Sequence, residues 1–256
     1  MTEESTAHNG IAPLANVARL AQMIKRLQSR EYGLPGLGCC YGRAGLGKTT
    51  AAIYATNSLN ACHVEVMPIG GVKGMLSMIV TELGLKPGRT TEALFTQAAQ
   101  HLAQTQRVLI IDEADAILKD KCIEILRRLH DISNAPLIFM GEEQLPQKLC
   151  KWDRVHSRVL SWVGMEEATS VDLDHLAKIY ARGVTIAPQL KAALLTASRG
   201  SLRNMSTNLA HVREVASRRG VSSLGMDEWK TESFHTGEAP APRGLVSRSH
   251  RRGFAA

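Results

Sequence analysis

The sequence predicts an α/β fold in which a parallel sheet, covered by helices on both faces, is followed by a small helical lid. Three observations carry this. Apolar runs alternate with helical stretches through the first two-thirds of the chain, strands stop after Gly164, and a glycine-rich segment joins an apolar run to a run of helix formers.

The elements follow in order. Leu37-Gly38-Cys39-Cys40-Tyr41 is a short apolar run that enters the glycines, and Thr50-Ala51-Ala52-Ile53-Tyr54-Ala55 leaves them as a helix. Cys62 to Ile69 reads as a strand. Val72 to Leu83 is helical, because Val72, Met75, Leu76, Ile79 and Leu83 share one face, and Met75 and Met78 belong to core packing. Leu94, Ala98 and Leu102 mark a further helix. Then come the strand Arg107 to Ile111, a helix carrying Ile123, Leu126 and Leu129, the strand Pro136 to Met140 and the run Val159 to Val163.

Residues 166 to 182, 188 to 198 and 201 to 218 read as three lid helices, separated by Gly183 with Pro188 and by Gly200. The expected organisation is a nucleotide-binding core with a short N-terminal extension over 1–165, a lid over 166–235 and a loose basic tail over 236–256. Arg243, Arg248, His250, Arg251 and Arg252 fall in that tail, and residues 242 to 256 hold no acid.

With 256 residues, 44% of them apolar, the chain can bury a substantial core. No stretch approaches the roughly 18 apolar residues of a membrane span. The start Met1-Thr2-Glu3-Glu4-Ser5 lacks a basic, apolar secretion signal, so a cytoplasmic protein is expected. The net charge of +7 permits a polyanionic partner. Five cysteines, at 39, 40, 62, 122 and 150, form no C-x-x-C pair and read as reduced, small apolar residues.

Gly42-Arg43-Ala44-Gly45-Leu46-Gly47-Lys48-Thr49 spells G-x-x-x-x-G-K-T, the phosphate-binding loop (P-loop) of nucleoside triphosphate sites. Its glycines let backbone N–H groups turn toward the phosphates. Lys48 reaches the outer phosphates, and the Thr49 hydroxyl can ligate magnesium. Gly42, Ala44, Gly45, Leu46, Gly47, Lys48, Thr49 and Thr50 are therefore the expected ATP contacts.

Val108-Leu109-Ile110-Ile111-Asp112-Glu113 is an apolar strand ending in two acids. Asp112 can hold magnesium through its water shell, together with Thr49, and Glu113 can orient an attacking water. Two carboxylates so placed favour hydrolysis over transfer to a small molecule. Asp112-Glu113-Ala114-Asp115 also spells a helicase signature, but the residues after Gly164 are too few and too helical for a second motor domain.

On these motifs the chain resembles the AAA+ ATPases and, within them, the DNA-transposition helper group that includes the phage Mu B, TnsC and TniB proteins. Weaker pieces suggest the subgroup. Leu137-Ile138-Phe139-Met140-Gly141 is similar to its L-x-G-x strand, Asp153-Arg154-Val155-His156-Ser157-Arg158 to its D-x-x-x-x-S-R box, and Gly200-Ser201-Leu202-Arg203 to its G-x-x-R lid opening.

The resemblance implies an arginine finger at Arg158, with Arg154 as second candidate, reaching a neighbouring subunit's γ-phosphate, and a lid sensor at Arg203. It also implies a homo-oligomer, a ring or a helical filament. Two departures stand out. Glu142 and Glu143 follow Gly141 where the first sensor is commonly Asn, Thr or Ser, and about 40 residues precede the loop where Mu B carries a DNA-binding domain.

In relatives of this group DNA is gripped by loops after the second strand and after the acid-tipped strand. The matching positions give Lys73, Lys119 and Lys121 as expected contacts to duplex DNA, with solvated surface lysines as the alternative. The function implied is an ATP-dependent, weakly specific DNA-binding ATPase that presents target DNA to a transposase. A helicase loader or replication initiator, and a nucleotide-gated scaffold with negligible turnover, remain the alternatives.

Overall fold

The computed structural model describes residues 14–67, 69–118 and 121–238. Its strands β1 (Leu37–Tyr41), β2 (Cys62–Glu65), β3 (Leu109–Asp112), β4 (Leu137–Gly141) and β5 (Val159–Gly164) form one parallel sheet in the order β2-β3-β4-β1-β5. Around it run α1 (Ala15–Gln28), α2 (Lys48–Leu59), α3 (Gly71–Glu82), α4 (Thr91–Thr105), α5 (Cys122–Ser133) and the short α6 (Leu145–Leu149) and α7 (Asp153–His156).

Successive strand side chains point to opposite faces, so each inner strand feeds two cores. Cys40, Ile110, Ile138 and Met140 meet α1, α2 and the lid, while Cys39, Leu109, Ile111 and Phe139 meet α3, α4 and α5. Burial on both faces is why these strands read as unbroken apolar runs. Cys39, Cys40, Cys62 and Cys122 are buried as expected of small apolar residues, whereas Cys150 is exposed.

The lid comprises α8 (Ser170–Tyr180), α9 (Pro188–Ser198), α10 (Leu202–Arg219) and α11 (Met226–Trp229). The expectation that strands cease after Gly164 is corrected: β6 (Thr185–Ile186) and β7 (Ser223–Leu224) make a two-residue parallel pair that ties the α8–α9 turn to the end of α10. Such short pairs carry too little periodicity to be read from sequence. The second strand is also shorter than Cys62 to Ile69. It ends at Glu65, where β3 ends beside it at Asp112, and Met67 and Ile69 are exposed.

The N-terminal extension contains α1, whose Val17, Leu20, Met23, Ile24 and Leu27 are buried against the sheet and lid. Leu14 gives α1 no side-chain cap, and the free N–H of Ala15 donates instead to Asp172 Oδ1 at 2.9 Å. The other oxygen of Asp172 accepts from the Thr169 N–H in the capping box that starts α8. One buried carboxylate thus starts two helices and joins core to lid.

The start of the basic tail is placed as well. Residues 231–238 run back along α10, where Asn208, fully buried, donates to the His235 carbonyl and accepts from its N–H. Thr236 receives a hydrogen bond from Asn204, and Glu238 pairs with Arg199. The arginines of residues 243 to 252 lie outside the described residues.

Candidate nucleotide site

The loop between β1 and α2 is built for an anion. Gly45 and Gly47 have φ of +85° and +83°, a region that favours glycine, and a Cβ on Gly45 would stand 2.5 Å from Ser201 Oγ. Gly47 precedes α2 and offers no capping side chain, so the first N–H groups of the helix are left for a ligand at its positive end. Lys48 Nζ lies over the loop, donating to the carbonyls of Gly42 at 2.6 Å and Arg43 at 3.0 Å. A phosphate group would replace these two weak acceptors with a charged one.

Asp112 lies at the end of β3, separated from β1 by β4, and is almost fully buried. Thr49 Oγ1 donates to its Oδ2 at 3.0 Å, which brings the two expected magnesium-holding side chains together. Burial by itself would raise the Asp112 pKa. Hydrogen bonds from His63, the Glu113 N–H and Thr49 outweigh it and hold the carboxyl below its usual range.

Glu113 adopts φ 55° and ψ 35°. Among the described residues the other non-glycine positive-φ positions, Asn60, Gln106, Asn134 and Arg199, all cap helix C-termini, whereas Glu113 leads into a single 3-10 turn at residues 114–117. That turn swings the chain between two adjacent acids, at a cost on the order of 1–3 kcal/mol. Burial, followed by the Asp112 charge, raises the Glu113 pKa above its usual range. Two neighbouring carboxyls are thereby driven apart, one firmly ionised and one more basic.

Asp115 has a different task from the other acids of its run. Its Oδ2 accepts from the Glu142 N–H at 2.7 Å and its Oδ1 from Lys148 Nζ at 2.6 Å, pinning the loop after β4. Gly141 is required there, since a Cβ would meet Asp115 Oδ2 at 2.1 Å. Glu142 is thereby turned to the same cleft as Lys48, Thr49 and Glu113. Of the two acids that follow Gly141, Glu142 is the one that lines the cleft.

Ala44, Gly45, Gly47, Lys48, Thr49 and Thr50 line a cleft of about 400 Å³, whose opposite wall is Arg203 with Leu14, Leu176 and Tyr180. Leu46 instead turns into the core, and Gly42 sits against Met165. The Arg203 N–H donates to the Gly45 carbonyl at 3.3 Å, so the start of α10 rests on the loop. A larger concavity of about 1120 Å³ lies along α10 beside residues 233–238 and holds none of the predicted site residues.

Arg158 stands at the opposite end of the strands from the cleft. Arg158 precedes β5, and its carbonyl accepts from the Leu37 N–H at the start of β1, roughly 15 Å of strand from the loop. Arg158 is tethered to Asp131 at 2.7 Å and donates to the Arg154 carbonyl, whereas the Arg154 side chain is 80% exposed. Neither reaches the nucleotide cleft of its own chain.

Lys73 and Lys121 are both exposed. Rather than in loops, Lys73 lies in the first turn of α3 and Lys121 at the N-cap of α5, the helices that follow the neighbouring parallel strands β2 and β3. Lys119 lies outside the described residues.

Two residues of the site had not been anticipated. Asn16 Nδ2 donates to the carbonyls of Leu46 and Glu166, and its Oδ1 accepts from the Glu166 N–H. His63, on β2, places Nε2 at 3.2 Å from Asp112 Oδ2.

Residues 31–149 match the AAA domain family. No curated protein matches the sequence. Among solved structures, the chain is similar to the Orc1 protein of Aeropyrum pernix in complex with DNA, with 20% identity and a TM-score of 0.57 over 85% of this chain and 63% of that one. It is similar to Cdc6p of Pyrobaculum aerophilum, with 13% identity and a TM-score of 0.61 over 90% and 68% of the two chains. The RuvB Holliday junction branch migration motor of Thermotoga maritima gives 21% identity and a TM-score of 0.55 over 84% and 67%. At these identities the likeness shows the fold, and the chain spans less than two thirds of the Orc1 chain. The AAA domain match over residues 31–149 and the assembled loop, Asp112 and Glu113 support an ATPase. No helix among the described residues is long and apolar enough to cross a membrane.

Proposed function

We propose that this ATPase assembles as a homo-oligomer on duplex DNA in an ATP-dependent way, presents that DNA to a transposase, and is released by hydrolysis. The observation that carries the assembly step is the separation of Arg158 from its own cleft by the length of β1. An arginine so placed can meet a nucleotide only in a second copy.

The site fits magnesium as well as ATP, because a hydroxyl and an ionised, buried carboxylate already meet at 3.0 Å beside the uncapped helix. Magnesium, when bound between Thr49 and Asp112, would neutralise charge on the outer phosphates. Glu113 accepts the proton of the attacking water, Lys48 and the α2 N–H groups hold the phosphates, and Arg203 carries nucleotide state to the lid. Leu14, Leu176 and Tyr180 supply an apolar wall for the base. Lys73, Lys119 and Lys121 contact DNA phosphates without reading sequence.

The similarity to Orc1 and Cdc6p favours one second reading, a replication initiator or helicase loader using the same cleft. Hydrolysis measured with and without duplex DNA, with sedimentation of the same samples and Lys48→Ala as control, tests both. DNA-stimulated turnover with ATP-dependent large assemblies is expected, and pull-down by transposase or by replicative helicase then separates the two. Absence of both stimulation and assembly overturns the DNA reading.

A further inference from the structure

The geometry points to His63 as a positioning residue for the magnesium carboxylate, a role that rests on the magnesium-ATP reading above and goes beyond it. Asp112 is 1% exposed and, as a carboxylate, offers about four acceptor positions on two oxygens. Protein donors occupy three of them: Thr49 Oγ1 at 3.0 Å and His63 Nε2 at 3.2 Å on Oδ2, and the Glu113 N–H at 2.9 Å on Oδ1. One acceptor position remains, on Oδ1, the position open to a metal-bound water.

The Thr49 hydroxyl can keep donating to Oδ2 while its own lone pair ligates the ion, and the Glu113 N–H is fixed by the backbone. The imidazole of His63 is therefore the one side chain in this set committed to Asp112 alone. It comes from the edge strand β2, whose pairing places His63 opposite Ile110 and Glu65 opposite Asp112. From there it reaches the carboxylate across the face of the sheet that Ile110 and Asp112 share and that α2 covers. By filling Oδ2 it leaves Oδ1 as the oxygen presented to the cleft, much as an outer-shell partner orients a metal ligand elsewhere.

The experiment compares wild type, His63→Gln and His63→Leu in the full chain. The affinity for a fluorescent ATP analogue is measured in EDTA and then across a magnesium titration. Gln retains a terminal N–H at about the reach of Nε2, and Leu fills the space without a donor. The expected result is unchanged affinity in EDTA for all three, a half-saturating magnesium concentration raised about 10-fold in His63→Leu, and recovery to near the wild-type value in His63→Gln. Equal magnesium dependence in wild type and His63→Leu overturns the inference, as does His63→Gln behaving like His63→Leu. Loss of binding in EDTA by both variants also overturns it, since His63 would then serve the fold. If wild-type affinity is itself indifferent to magnesium, the magnesium-ATP reading falls, and the role of His63 falls with it.

Discussion

Asn16 donates from Nδ2 to the carbonyl of Leu46 at 2.9 Å, which fastens the first helix to the centre of the phosphate-binding loop. The same amide pairs with the Glu166 backbone at the start of the lid, through 2.8 and 3.0 Å bonds. It is a buried bracket between loop, lid and N-terminal helix. Asn16→Ala leaves three backbone groups without a partner, at a loss on the order of 3 kcal/mol. A lower thermal unfolding midpoint is expected, with a smaller rise on adding ATP. An unchanged midpoint would show that water replaces the amide without loss.

Glu113 carries a raised pKa because it is partly buried and sits beside ionised Asp112. A base works only when deprotonated, so turnover should fall as pH drops through a value above the usual carboxylate range. Asp112, shifted the other way, stays ionised through that window. Glu113→Gln should bind ATP normally, lose turnover by about 10²-fold or more, and erase that acid limb. A pH–rate profile of kcat on both proteins checks it, and an acid limb that persists in the variant would assign the base elsewhere.

Gly45 holds φ +85° with Ser201 Oγ where a Cβ would be. Gly45→Ala should separate α10 from the loop and disturb Arg203, whose N–H bonds the Gly45 carbonyl. ATP affinity should fall about 10-fold or more, since both the loop conformation and the lid contact are lost. Restoring room with Ser201→Ala in the same chain should recover part of that affinity, as the positive φ alone remains. Titration of nucleotide against wild type and the two variants measures this.

Arg154 is 80% exposed and paired with Glu124 at 3.8 Å, while Arg158 must leave Asp131 to reach a neighbour. Each changed to Ala should bind ATP normally as an isolated chain. The finger itself, once removed, should lower turnover of the assembled protein by about 10³-fold. Mixing that variant with a Lys48→Ala chain should restore activity at mixed interfaces, where an intact arginine meets an intact cleft. Failure of complementation for both arginines would sink the proposal of a finger supplied by a second copy.

Much of this was legible from residue order. The glycine spacing and the apolar run before Asp112 name local structures, a tight anion-binding turn and a buried strand, whose geometry depends on neighbours in the chain. The first helix was not read from the sequence, although Val17, Leu20, Ile24 and Leu27 recur at helical spacing, and nothing local says that Asn16 would turn inward to meet Leu46 and Glu166.

The sequence by itself determined the alternation of strands and helices, the phosphate loop, the pair Asp112 and Glu113 and the helices that follow Gly164, because each is encoded by periodicity or by residues adjacent in the chain. Only the tertiary structure decided that Asp112 accepts from both Thr49 and a histidine of an edge strand, that Asp115 holds Glu142 toward the cleft, and that Arg158 lies at the far end of β1. These contacts span tens of residues and depend on strand order and register, which hydrophobic burial selects for the whole sheet and no short stretch specifies.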